Sequence, residues 1–249
     1  MVNDPDRGPA PGPGLDPDWA VAYERTRSLL EALVRIESPS SDPEAVGRAM
    51  KAYARALEEE GVRVRLEPTV GGAPILVGDF GDAGEGAPLL LVGHLDTVHP
   101  HGTLGGPLPL EEDEGRLHGP GIYDMKGGLA VIVGALHLMR LRGRRPRLPL
   151  RILVTPDEEV GAPSSRAFLE AQADGAAGAL VLEPPLPDGS PKVQRKGVGE
   201  FRIVLHGRPA HAGIEPERGA SAIHALGALL PGLLALARPD AGTTLNVGR

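Results

Sequence analysis

The run "PLLLVGHLD" (Pro88 to Asp96) stays apolar on consecutive residues instead of alternating, which is the pattern of a strand buried on both faces. "LPLRILVTP" (148–156) reads as a second buried strand and "GALVLEP" (178–184) as a third. Between them stand helical stretches: roughly residues 126–142, and "SSRAFLEAQA" (164–173). Strands alternating with helices predict an α/β fold, a mainly parallel sheet flanked by helices. Upstream, "DPDWAVAYERTRSLLEALVRI" (16–36) has helical spacing. A further helix starts at Asp42 as N-cap with Pro43 at the first helical position, and stops before Gly61. "VRVRLEP" and "PILVGDF" are short β-like runs separated by Gly/Pro loops.

The pattern changes near Lys192. "KVQRKGVGEFRIVLHG" alternates around turn residues and predicts antiparallel strands, "PERGASAIHALGALLPGLLAL" a helix, and "TTLNVGR" the start of another strand. This reads as the opening of an α+β domain that stops in mid-element. The expected organisation is therefore a disordered Pro/Gly-rich leader over 1–17, a main domain over 18–191 without its closing segment, and a partial second domain over 192–249.

Composition narrows the functional classes. A formal net charge of -7 argues against a nucleic-acid backbone as partner. The basic run "RLRGRRPR" (140–147) falls where a helix should end, which favours cations for electrostatic reasons alone. With no cysteine, disulfides and thiolate metal sites are excluded, and a metal would need imidazole and carboxylate ligands. The N-terminal segment lacks the apolar core of a signal peptide, and no run reads as long enough to span a bilayer. A cytoplasmic location without membrane contact is expected.

Ligand-type side chains gather where α/β sheets place their sites, beyond the carboxyl ends of strands. His94 and Asp96 end one run, Glu158 and Glu159 follow another, and Glu183 ends a third. Asp124 lies in the glycine-rich loop "GPGIYDMKGG". Two residues apart on a strand, His94 and Asp96 face one side, the arrangement of a ligand and the carboxylate that orients it. Adjacent Glu158 and Glu159 point in opposite directions on an extended chain, so they cannot serve the same atom. Each feature alone has a bland account: a surface His-x-Asp, acids complementing a helix dipole, loop acids. Their coincidence in one domain is what points to a site.

The segments "GHLDTV", "GPGIYDMKGG", "TPDEEVG", "LEP" and "GRPAHAGIEPERGASAI" occur in that order. Together they resemble the di-zinc aminoacylase and carboxypeptidase family, which includes acetylornithine deacetylase, succinyl-diaminopimelate desuccinylase and glutamate carboxypeptidase. The resemblance runs from about Trp19 onward, and "GPG" with "ESPSSDPE" upstream is most similar to the glutamate carboxypeptidase branch. It implies a zinc-peptidase-like catalytic domain followed by a lid and dimerisation domain, and a zinc-dependent hydrolase cleaving an amide or peptide bond next to a free carboxylate. Small peptides or N-acyl amino acids would be substrates, and a homodimer would form through an intact lid.

By the same resemblance Glu158 is the general base and Glu159 a ligand. His94 and Glu183 hold one ion, Asp124 bridges two, and Asp96 fixes the His94 ring. His211 stabilises the developing oxyanion from the lid of a partner subunit, and Asn246 contacts substrate. Two zinc ions are implied, with cobalt or manganese as alternatives. The second would also need a histidine from the closing segment, so the chain reads as C-terminally truncated. The rival reading is an inactive fragment with one metal site or a binding role only. A serine hydrolase built on Ser164 or Ser165 lacks a G-x-S-x-G elbow, and nucleotide binding through "MKGG" lacks Walker A spacing.

Overall fold

The computed structural model describes residues 16–81 and 86–248. The chain divides between Ser190 and Pro191 into two compact units.

The first unit begins with α1 (Pro17–Val34) and α2 (Pro43–Glu58). Each is started by an aspartate whose side chain accepts from backbone N–H groups of the first turn: Asp16 from Asp18, and Asp42 from Glu44 and Ala45. The expected leader therefore ends earlier than placed, because Asp16 and Pro17 already start a helix; the remainder of 1–17 lies outside the described residues. Then follow β1 (Arg63–Glu67), β2 (Ile75–Phe80) and β3 (Leu89–His94), and the hairpin β4 (Glu111–Asp113) and β5 (Arg116–His118). A π-type turn (Ile122–Lys126) leads into α3 (Gly127–Leu141), followed by β6 (Leu150–Thr155), α4 (Arg166–Ala173) and β7 (Gly178–Val181).

Five strands form one sheet in the order β1-β2-β6-β3-β7. It is mixed. β3, β6 and β7 run parallel as the βα alternation predicts, whereas β1 pairs antiparallel with β2 and β2 antiparallel with β6. The reason is local: a seven-residue connection brings β2 back alongside β1, and no helix intervenes to carry the chain across the sheet. Period-2 alternation divides the core. Leu76, Ile152 and Val154 face a cluster with Leu33, Met50, Tyr53, Leu129 and Val133 of α1–α3. Ile75, Val77, Leu90 and Leu153 face Phe168 and Leu169 of α4. Helices thus cover both faces, and the parallel strands present their carboxyl ends together.

Ile122–Leu141 is long and apolar enough to cross a membrane, with a mean hydropathy of 1.3 over its most apolar window, which corrects the expectation that no run reaches that length. Its apolarity has a nearer cause. Leu129, Ala130, Ile132, Val133 and Leu136 are buried in the core between α1 and the sheet.

In the second unit, α5 (Ala222–Leu234) begins at Ser221, whose hydroxyl accepts from the His224 N–H. The antiparallel strands expected over 192–207 and from Thr243 do not form among the described residues. The regular pairings there are isolated bridges, Arg208 with Ala220 and Arg238 with Thr243. Alternation prepares a segment for a sheet, but a strand exists only where a neighbour accepts its backbone hydrogen bonds along its length, and beyond the single bridge at Thr243 no such neighbour pairs with these segments among the described residues.

Candidate metal centre

β3 ends at His94, and the ladder places His94 beside Thr155 of β6 and Val92 beside Val181 of β7. The residues just beyond these three strand ends therefore converge. The His94 ring is almost fully buried. Its Nε2 lies 3.1 Å from Asp124 Oδ1, 3.3 Å from Glu183 Oε1 and 3.9 Å from Glu158 Oε2. On the far side of the ring, Nδ1 is 2.9 Å from the Asp96 backbone oxygen and 3.3 Å from Asp96 Oδ1. The acids fall into two groups that share the imidazole: Asp124 with Glu159, and Glu158 with Glu183.

Residues 90–243 match the Peptidase family M20/M25/M40. The chain belongs to this family. It is 33% identical over 202 residues to carboxypeptidase G2 of Pseudomonas sp. (strain RS-16), covering 78% of this chain and 47% of that protein. It is also 33% identical over 239 residues to acetylornithine deacetylase of Myxococcus xanthus, covering 89% of this chain and 60% of that one. The chain thus spans about half to three-fifths of the length of these curated relatives. Among solved structures, aminopeptidase PepT from Bacillus cereus shares the fold with a TM-score of 0.67 at 24% identity, over 91% of this chain and 60% of that one.

Within this M20 chain, neighbouring groups set the placement of each side chain. Gly93 leaves room for Met125: a Cβ there would come within 2.6 Å of Met125 Cε. Met125 Sδ in turn accepts the His94 N–H at 3.3 Å. A Cβ on Gly128 would fall onto the backbone oxygen of Leu182, so the "KGG" sequence lets the start of α3 approach the end of β7, where Glu183 follows. Glu158 and Glu159 lie on a 3-10 turn (Glu158–Val160), not on extended chain. They still separate, one into each acid group. Asp96 serves both sides of the site. Its carboxylate accepts the N–H of Glu158 at 3.1 Å and of Glu159 at 3.2 Å, and the Ser40 hydroxyl at 2.7 Å.

The electrostatics follow from one imidazole facing several carboxylates. Burial works against protonation of His94, but hydrogen bonds to Asp96 and Glu183 outweigh it and push its pKa up to about 11. Burial likewise disfavours ionised Asp96, yet His94 and Ser40 hold its pKa below the usual carboxylate range. Glu158 and Glu159 move the other way. Burial raises Glu158, with His94 opposing and Glu183, Asp124 and Asp96 adding to the rise; burial and then Asp124 raise Glu159.

This donor set fits a borderline divalent cation. Nitrogen and oxygen donors are present without sulfur, as zinc, cobalt and manganese accept. Two ligands each about 2.0–2.1 Å from a tetrahedral zinc stand about 3.3 Å from one another. The His94 separations of 3.1 Å to Asp124 and 3.3 Å to Glu183 match that edge. Excess negative charge around a single imidazole is what a cation would neutralise.

His211 and Asn246 belong to the second unit. Both are exposed, and His211 Nδ1 accepts the Gly213 N–H at 3.1 Å. Ser164 and Ser165 are structural. Their hydroxyls donate to Asp157, at 2.7 and 2.5 Å, and close the loop after Glu159. Sequence reasoning did not find Ser40, Met125, Lys126 or Asp157. Only Lys126 carried a signal, as a cation two residues from Asp124 in the glycine-rich loop. A cleft of about 350 Å³, lined by Val98, His99, Ile122, Tyr123, Asp124 and Glu159 among others, opens beside the acids.

Proposed function

We propose that this chain carries the metal centre of an M20 hydrolase that cleaves an amide or peptide bond next to a free carboxylate, in small peptides or N-acyl amino acids. The observation that carries the reading is the convergence of Asp124, Glu183 and Glu158 on the buried His94 Nε2, in a chain belonging to that family. The names of its relatives, a carboxypeptidase and a deacetylase, support the substrate class.

In this reading His94 and Glu183 would hold one zinc, Asp124 and Glu159 would serve the second, and Asp96 fixes the ring and the glutamate turn. Bound zinc supplies a Lewis acid and lowers the pKa of water. Glu158, about half exposed with a raised pKa, takes the proton of the attacking water and delivers it to the leaving nitrogen. A base whose pKa is brought towards the working pH performs both transfers. Asp124 and Glu159 line the adjoining cleft, which would receive part of the substrate. His211 would stabilise the oxyanion and Asn246 contact the substrate. Family membership is the support for those two roles and for a homodimer.

A second reading has its own observation. Both acid groups share one imidazole, and a single Nε2 serves one ion at a time. Among the described residues a nitrogen-containing ligand set therefore exists for one metal, consistent with a chain that binds one ion and does not turn over. Metal content per chain, measured with hydrolysis of an N-acyl glutamate, separates the two. Two ions with turnover support the hydrolase, and one ion without turnover supports the second reading.

A further inference from the structure

Lys126 is a charged side chain that is 1% exposed. Its Nζ donates to the backbone oxygens of Leu33 at 3.1 Å and Ile36 at 2.9 Å, at the C-terminal end of α1, where a cation is favoured by the unpaired carbonyls. Its own N–H donates to Gly121 O at 2.9 Å. The nearby Glu37 carboxylate is committed elsewhere, to the N–H groups of Gly102 and Leu104, both at 2.8 Å. Burying an ammonium on carbonyls alone costs free energy that an apolar side chain of the same length would not. Packing therefore does not explain why lysine stands here.

What Lys126 holds is the turn Ile122–Lys126, and that turn carries Asp124. Two anchors follow Asp124 in the chain: Met125 is tied to β3 through the His94 N–H, and Lys126 to the end of α1. The Asp124 carboxylate itself is 57% exposed and meets the protein at His94 Nε2, 3.1 Å away, so the anchors of its backbone bear directly on how the two groups stand. We infer that Lys126 is a positioning residue of the metal centre: its ammonium clamps the Asp124 turn to the end of α1, and this sets the separation between Asp124 and His94. The inference rests on the metal-centre reading above.

The test compares zinc affinity and metal-free stability in the wild-type chain and in Lys126→Met, which keeps the length and removes the charge. Zinc affinity is measured by competition with a chromogenic chelator, and thermal melting is followed without metal. Groups that orient ligands typically change affinity ten- to a hundredfold when removed. The expected result is a loss of at least about tenfold, a changed cobalt(II) absorption spectrum, and a metal-free melting midpoint that is unchanged or higher. Unchanged affinity and an unchanged cobalt spectrum would overturn the inference, as would an affinity loss that appears only with a lowered metal-free midpoint. Should the methionine variant not fold, Lys126→Gln keeps an uncharged NH2 donor group for the carbonyls, and the same comparison decides. A wild-type chain that binds no zinc would overturn the metal-centre reading and this inference together; a wild type that binds zinc no better than Lys126→Met overturns the inference alone.

Discussion

Two meeting points of charge in the first unit, each centred on a buried side chain, combine acids and bases in opposite proportions. At the junction of α1, α2 and α3, the buried Glu60 accepts from Arg25 at 3.3 Å and from Arg140 and His137, each at 2.9 Å. Burial alone would raise its pKa, but the bonds from His137 and Arg140 prevail and lower it. At the sheet end the proportions are reversed: several carboxylates meet one imidazole, and burial leaves Glu158 and Glu159 raised. A carboxylate supplied with cations closes a structure. Carboxylates short of cations describe a place for a ligand, at a cost in stability that the surrounding core must offset.

Four measurements would break or sharpen this contrast. The largest effect is expected from His94→Ala, which removes the imidazole shared by both acid groups. Zinc affinity should fall by more than about 100-fold, beyond the loss usual for an outer-shell group; retention of wild-type affinity would mean that the acids alone form the site. Next, under the hydrolase reading, Glu158→Gln should lower kcat about 10²- to 10⁴-fold while metal content stays unchanged. Near-normal turnover there would reassign the base, and loss of metal would make Glu158 a ligand.

On the structural side, Glu60→Gln should cost about 1–3 kcal/mol in denaturant unfolding without altering zinc binding. Its pH dependence has a definite sign. Because the folded-state pKa lies below the ordinary value of 4.5, the contribution is present above that value and is lost as pH falls through the folded pKa. The wild-type advantage over Glu60→Gln should therefore shrink on acidification and not on moderate alkalinisation. The smallest effect belongs to the solvated pairs of the outer strands. Arg65, bonded to Glu67 and Asp79 at 2.7 Å each, should cost less than about 1 kcal/mol when replaced by alanine. A cost equal to that of Glu60 would show that charge pairing, not burial, sets the difference.

The site was legible to the extent that strand ends were. His94, Glu158, Glu159 and Glu183 could be placed together because parallel strands bring their carboxyl ends to one edge, and Asp124 because a glycine-rich loop leads into a helix there. The partners that hold them were not legible. Ser40 donates to Asp96 across 56 positions of chain, and Lys126 reaches Leu33 across 93; no local pattern encodes such a contact. The glutamate pair shows the limit from the other side. Opposite roles were inferred from an extended chain, yet the separation arises on a 3-10 turn held by Asp96.

The two units show the same division at the scale of the fold. In the first, apolar periodicity sufficed to place α1, α2, α3, β3 and β6, because each apolar face found a partner. In the second, "KVQRKGVGEFRIVLHG" has the alternation of a strand, yet no residue of that unit is buried among those described, and Val198 and Phe201 stand open. Sequence by itself determined the type of the main elements of the first unit, the family, and which side chains have the chemistry to hold a metal, because propensity, order and donor type are properties of the chain. Only the tertiary structure decided which strands pair, that the sheet is mixed, and that one imidazole stands between two acid groups. Those outcomes depend on hydrogen-bond partners and distances between residues remote in sequence, which exist only once the chain has closed on itself.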